Sequence, residues 1–179
     1  MGEAYDKVAK VLGLSYPGGP KIDDLSIKGE DTYNLPYPLD DDSYNFSFSG
    51  LKSAVLNTVN KEKQKHHEIR VADMCCSFQN RVVEILTKKT MRAISEYKVK
   101  NLIVAGGVSA NNGLRHKFSI LCKENKIRLS IPKTKYCTDN ATMIGAAAYY
   151  AYKNNIIADL SLNAKAVDNL YNDEILQPK

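Results

Sequence analysis

The stretch NLIVAGGVSANNGLR, residues 101–115, ends an apolar run at two glycines and resumes as a basic, helix-like segment. Two readings fit Gly106 and Gly107. One is a tight turn, since glycine reaches backbone angles that other residues avoid. The other is a surface without side chains on which a ligand approaches the backbone, with a helix N-terminus beyond it. Asn111 then either donates and accepts hydrogen bonds at such a ligand or caps the following helix. Asp139, in CTDNATMIG, sits where a helix should begin, and Thr138 or Asp139 suits its N-cap. Lys52 is read as a solvated helix lysine or a phosphate contact, and the catalytic alternative is set aside.

Other chemistries find no support. His66 and His67 are adjacent and His116 stands apart, so no pair shares a helix face at i, i+4. No H-E-x-x-H or Ser-His-Asp arrangement is evident. The four cysteines, Cys75, Cys76, Cys122 and Cys137, make neither a C-x-x-C pair nor a zinc spacing. With no signal-like leader and no apolar run of membrane-spanning length, we expect a reducing, cytoplasmic setting and no membrane partner. Lys and Arg number 25 against 20 Asp and Glu, a net charge of +5, which permits a nucleic-acid partner without demanding one.

The elements that must position these residues follow from periodicity. Ala4, Tyr5, Val8, Val11 and Leu12 line one helical face, and Gly13 ends that helix. Pro17-Gly18-Gly19-Pro20 predicts a break in regular structure, within a turn-rich segment over 14–45. Phe46 and Phe48 alternate as in a short strand, after which Ser49 should cap a helix bearing Leu51, Ala54, Val55 and Val59. A long helix is expected over about 66–97, carrying Ile69, Ala72, Cys76, Val83, Leu86 and Ile94. Strands are predicted at 101–105 and 127–132, with a helix between them and another from about Thr138. The βαβα order in the second half argues for a mixed α/β lobe, taken to run over residues 1–153. Residues 154–179 read as a surface segment.

Taken together, GEAYDKVAKVLGLSYPGGP, FSFSGLKSAV, VAGGVSANNGLR and CTDNATMIGAAA resemble the TsaD/Gcp family, enzymes that make threonylcarbamoyladenosine in tRNA. The four motifs stand in the family's order and cover most of residues 2–152. The resemblance implies the carboxy-terminal lobe of the fold shared by actin, sugar kinases and Hsp70-type ATPases (ASKHA), here incomplete. It implies transfer of a threonylcarbamoyl group from threonylcarbamoyl-AMP to N6 of an adenosine beside the anticodon, in tRNAs reading ANN codons. By the same resemblance Asp6, Gly19, Asp23, Gly106, Gly107 and Asn111 face the adenine nucleotide, with Asp6 and Asp23 accepting from ribose hydroxyls. Asp139 becomes a ligand of one divalent metal, iron or zinc. The implied partners are tRNA and accessory proteins resembling TsaB and TsaE.

The family's phosphate-gripping glycine loop and its H-x-x-x-H metal pair have no counterpart here. We therefore expect the carboxy-terminal part of such an enzyme, inactive by itself. Two rival functions follow from the same motifs: a non-catalytic nucleotide-binding or scaffold subunit, and a sugar or carboxylate kinase of the same fold.

Overall fold

The computed structural model describes residues 1–163 and divides into two compact units, Met1–Thr138 and the part beginning at Asp139. The first unit holds α1 (Gly2–Val11), α2 (Gly18–Ser26), α3 (Ser49–Gln64), α4 (Val71–Glu96), β1 (Asn101–Ile103), α5 (Asn112–Glu124) and β2 (Arg128–Ser130). Short 3-10 turns stand at Gly107–Ala110 and Thr134–Tyr136. In the second unit α6 spans Ala141–Lys153. The fold is α-rich, with a single two-stranded parallel sheet among the described residues. Asn101 pairs with Arg128, Leu102 with Leu129 and Ile103 with Ser130. A parallel pair needs a crossover, and α5 supplies it.

Helix α4 is the axis of the first unit because its sequence is apolar on two adjoining faces. One face buries Met74, Phe78, Val82 and Ile85 against Tyr5, Val8, Ile22, Leu51 and Val55 of α1, α2 and α3. The other presents Val83 to Leu114 and Phe118 of α5, with Leu102 and Leu129 of the sheet packed alongside. Burying a side chain such as Phe78 in full stabilises by roughly 1.5–3 kcal/mol. Apolar periodicity located this helix, but its buried set also includes Asp73, Ser77, Gln79 and Lys89. Polar groups at such depth need partners. Lys89, 3% exposed, donates to Asp41 Oδ1 at 2.9 Å and to the Asn45 carbonyl at 2.8 Å. Arg92 adds bonds to the carbonyls of Asp42 and Ser43 at 2.9 and 2.7 Å, so the acidic loop is strapped along α4.

Among the described residues, five of the six helix ends, all but that of α2, share one solution. Beyond α1 the backbone turns left-handed at Gly13, with φ +75°, and Leu14 N–H bonds to the Ala9 carbonyl. The same reversal follows α3 at His66, α4 at Lys98, α5 at Lys126 and α6 at Asn155. In each, the N–H three residues past the last helical residue closes on a carbonyl inside the helix. Of these stops only Gly13 carried a glycine signal.

Four local expectations are corrected. Pro17 to Pro20 do not break structure; Pro17 is the N-cap of α2, and Pro20 lies in its first turn. Proline is tolerated there because first-turn N–H groups have no partner inside the helix. Phe46 and Phe48 form no strand, since no neighbouring chain pairs with them, and their rings stack on one another with centroids 6.5 Å apart. Ser49 is the first residue of α3, not its cap. The cap of α6 is Asn140, whose Oδ1 accepts from Met143 N–H at 3.0 Å, in place of Thr138 or Asp139. Residues 154–163 continue beyond α6 without regular structure, and the rest of the expected surface segment lies outside the described residues. No helix among the described residues is long and apolar enough to cross a membrane.

Candidate functional site

The C-terminal end of β1 delivers the chain to Gly106, whose φ of +87° falls in the region that favours glycine. That accounts for the turn at this position. Gly107 is different. Its φ lies outside the left-handed range, and a Cβ built on it would meet nothing within 4 Å. Neither conformation nor packing in the described residues asks for glycine there. Gly19, in the first turn of α2, is equally open.

After the 3-10 turn, Asn111 caps α5, with Oδ1 accepting from Leu114 N–H at 2.8 Å. Its amide also reaches α2 and α4. Nδ2 donates to Asp23 Oδ1 at 3.0 Å and to Gln79 Oε1 at 2.7 Å. Asp23 is 6% exposed and gathers donors on both oxygens. Oδ1 accepts from Asn111 and from Gln79 Nε2 at 3.0 Å; Oδ2 accepts from the Asn112 N–H at 2.9 Å and its Nδ2 at 2.8 Å. Four donors fill the acceptor sites of a carboxylate. The Asn112 side chain is the exposed member of the set. Two sequence-predicted site residues, Asp23 and Asn111, are thus in direct contact, 88 residues apart in the chain.

Asp6 stands at the other end of α2. Its Oδ1 accepts from Gly18 N–H at 2.8 Å, so a carboxylate faces the positive end of that helix. Gly18 is required by close approach, because a Cβ there would lie 2.5 Å from Ala9 Cβ and 2.9 Å from Asp6 Cα. Asp6, Lys7, Lys10, Tyr16 and Gly18 line a hollow of about 330 Å³. Beside the Asp23 network, Tyr5 is buried with no hydrogen-bond partner for its hydroxyl among the described residues. Burial, and then the Asp23 charge, push its phenol pKa well up, so it stays protonated. Burial and the neighbouring Cys76 raise the Cys75 thiol to about 11, which removes it as a nucleophile at neutral pH.

Sequence reasoning missed Gln79, Ser26, Asn112 and Arg115. Gln79 had a signal: it falls four residues after Cys75 and four before Val83, on an otherwise apolar face. Arg115 donates to the carbonyls of Ser109 at 2.9 Å and Pro132 at 3.0 Å, tying the turn after β1 to the end of β2.

Asp139 is exposed and belongs to the second unit. Among the described residues no three His, Cys, Asp or Glu side chains gather as metal ligands, so the residues present do not make a complete metal site. Because Asn140 caps α6, Asp139→Ala should leave the helix intact, whereas Asn140→Ala should cost about 1 kcal/mol. Amide exchange at Met143 checks this; it should quicken only in the Asn140 variant.

A profile of the TsaD family, tRNA N6-adenosine threonylcarbamoyltransferase, matches residues 1–146. Curated proteins of that name from Staphylococcus aureus strains JH9 and Newman are each 56% identical to this chain over 164 residues. The match covers 91% of this chain and 48% of each relative. The chain spans about half the length of the curated relatives it matches.

Proposed function

The chain belongs to the TsaD family of tRNA N6-adenosine threonylcarbamoyltransferases, and from that premise we propose that its α2–α5 edge is the nucleotide side of an acyl-transfer site in a longer enzyme. The observation that carries this reading is the pair of open glycines, Gly19 and Gly107, whose bareness the fold does not require. Gly19 lies one helical turn before Asp23, and Gly107 lies four residues before Asn111, so the Asp23–Asn111 contact joins the two open stretches. A nucleotide laid along this edge meets backbone instead of side chains.

In the reaction the N6 amine of a tRNA adenosine attacks the carbonyl carbon of threonylcarbamoyl-AMP. The new C–N bond replaces the bond from that carbon to the phosphate oxygen, AMP leaves, and the amine gives up a proton. The residues of this chain bind and orient the adenylate. Asp6, with one oxygen on Gly18, keeps the other for a ribose hydroxyl. At Asp23 a hydroxyl takes the place of the exposed Asn112 side-chain amide, the donor most readily displaced. The structural setting is a lobe of the actin, sugar-kinase and Hsp70-type fold. Asp139 is the one carboxylate this chain would lend to a divalent metal, iron or zinc, and no step is assigned to that metal. The partners of this reading are tRNA and accessory proteins resembling TsaB and TsaE.

AMP binding by calorimetry tests the site. Gly107→Val and Gly19→Val each fill open space without backbone strain, so both variants should keep their melting temperature. Each should weaken AMP binding about tenfold or more, the loss of roughly 1.4 kcal/mol. Asn111→Ala is unsuitable for this purpose, because Asn111 also caps α5 and completes the buried network. Unchanged AMP affinity in both folded valine variants would remove the nucleotide from this edge.

A further inference from the structure

One buried side chain at this edge has no part in the transfer just described. Gln79, 5% exposed, stands within α4 with its amide between the two candidate nucleotide residues. Its Nε2 donates to Asp23 Oδ1 at 3.0 Å and to Ser26 Oγ at 2.7 Å, while Oε1 accepts from Asn111 Nδ2 at 2.7 Å. Because carboxylate oxygens only accept, the nitrogen of the amide must face Asp23 and its oxygen must face Asn111. Ser26 hydroxyl in turn donates to the Asp23 carbonyl at 2.7 Å, closing the arrangement on α2. An apolar side chain at this position would leave these groups short of partners inside the protein. A carboxylate would set a second negative charge against Asp23.

Packing at Gly113 points to the same amide. A Cβ there would lie 2.9 Å from Gln79 Nε2 and 3.4 Å from Asn111 Oδ1. The second residue of α5 is therefore bare where the Gln79 amide needs room, although its backbone is not left-handed. Hydrogen bonding and close packing both hold the amide in one orientation.

We infer that Gln79 is a positioning residue. It touches no substrate; it fixes Asp23 relative to Asn111, and through them the α5 N-terminus and the glycine turn, so that the edge meets the nucleotide in one geometry. The inference rests on the nucleotide reading of this edge given above.

The test is AMP titration of the wild-type chain and of two variants, each paired with its unfolding midpoint. Gln79→Leu removes both halves of the amide and should weaken AMP binding about tenfold or more in the folded protein. Gly113→Ala keeps every hydrogen-bonding group but pushes aside the end of a flexible side chain. It should weaken AMP binding in the same direction while the midpoint changes little. A purely structural Gln79 would shift the midpoint and leave the affinity of the folded protein alone, and that result in either variant overturns the inference. Should Gln79→Leu fail to fold, Gly113→Ala decides. Wild-type binding with unaltered variants rejects the role of Gln79 only; no AMP binding by the wild-type chain rejects the nucleotide reading and the inference with it.

Discussion

Gly29→Ala should destabilise the first unit by about 3 kcal/mol or more, the upper part of the range for overpacking a well-filled interior. A Cβ at this position would lie 2.1 Å from the Ala72 carbonyl oxygen, 2.2 Å from its carbon and 2.6 Å from Asp73 N. All three are backbone atoms in the first turn of α4, and no rotamer change moves them away. The chain cannot ease outward either, because the next residues are fastened to the same helix. Glu30 N–H and Thr32 hydroxyl donate to the Asp73 carboxylate at 3.0 and 3.3 Å. Tyr33 N–H donates to Ser77 Oγ at 3.0 Å. Urea unfolding should show a much lower midpoint, and the backbone φ at Gly29, outside the left-handed range, means that conformational strain takes no part. A midpoint equal to that of the wild type would show that the segment over 29–33 does not press on α4.

The second large effect is at Asp23. Asp23→Ala withdraws the acceptor of four hydrogen bonds, leaving donors of Gln79, Asn111 and Asn112 without it. The Gln79 and Asn111 amides lie in the interior, where each unsatisfied donor costs about 1–3 kcal/mol. Gln79 keeps Ser26 and Asn111 keeps Gln79, so the donors are only partly orphaned, and the expected loss is about 3 kcal/mol. The exposed Asn112 side chain turns to water at little cost. Because the network spans α2, α4 and α5, exchange protection should fall together at amides of all three helices. A loss confined to α2 would mean that Asp23 serves its own helix and does not link it to the others.

Much of this was legible in the sequence, for identifiable reasons. The apolar spacing in α1 and α4 and the strand-turn-helix order around Gly106 reflect periodicities that survive in any tertiary setting. What could not be read locally was what the rest of the molecule settles. Pro17 and Pro20 signal a break when taken as residue types, yet a helix start accommodates both. Phe46 and Phe48 alternate like a strand but lack a partner. Ser49, Thr138 and Asp139 are all competent caps, and the caps at Asn111 and Asn140 are fixed by where the backbone enters each helix. Asp23 was expected within a turn-rich segment and, by resemblance, at a nucleotide edge. Its burial on α2 depends on side chains that reach it from α4 and α5, which no local window contains. Gln79 interrupts an apolar stripe, which flags a buried amide, but its role depends on partners that reach it from α2 and α5.

The Asp23 network also bears on how the protein is made. Its links close sequence separations of 56, 32 and 88 residues. Chain closure of this kind follows local helix formation, because the entropy of bringing distant segments together must be met before their bonds form. A nascent chain that has not yet exposed Asn111 can join α2 to α4 through Asp23 and Gln79, but the edge still lacks α5. Until the segment carrying Asn111 is available, that side of the network cannot form. On the nucleotide reading proposed above, the edge is complete only once the segment beyond β1 has docked.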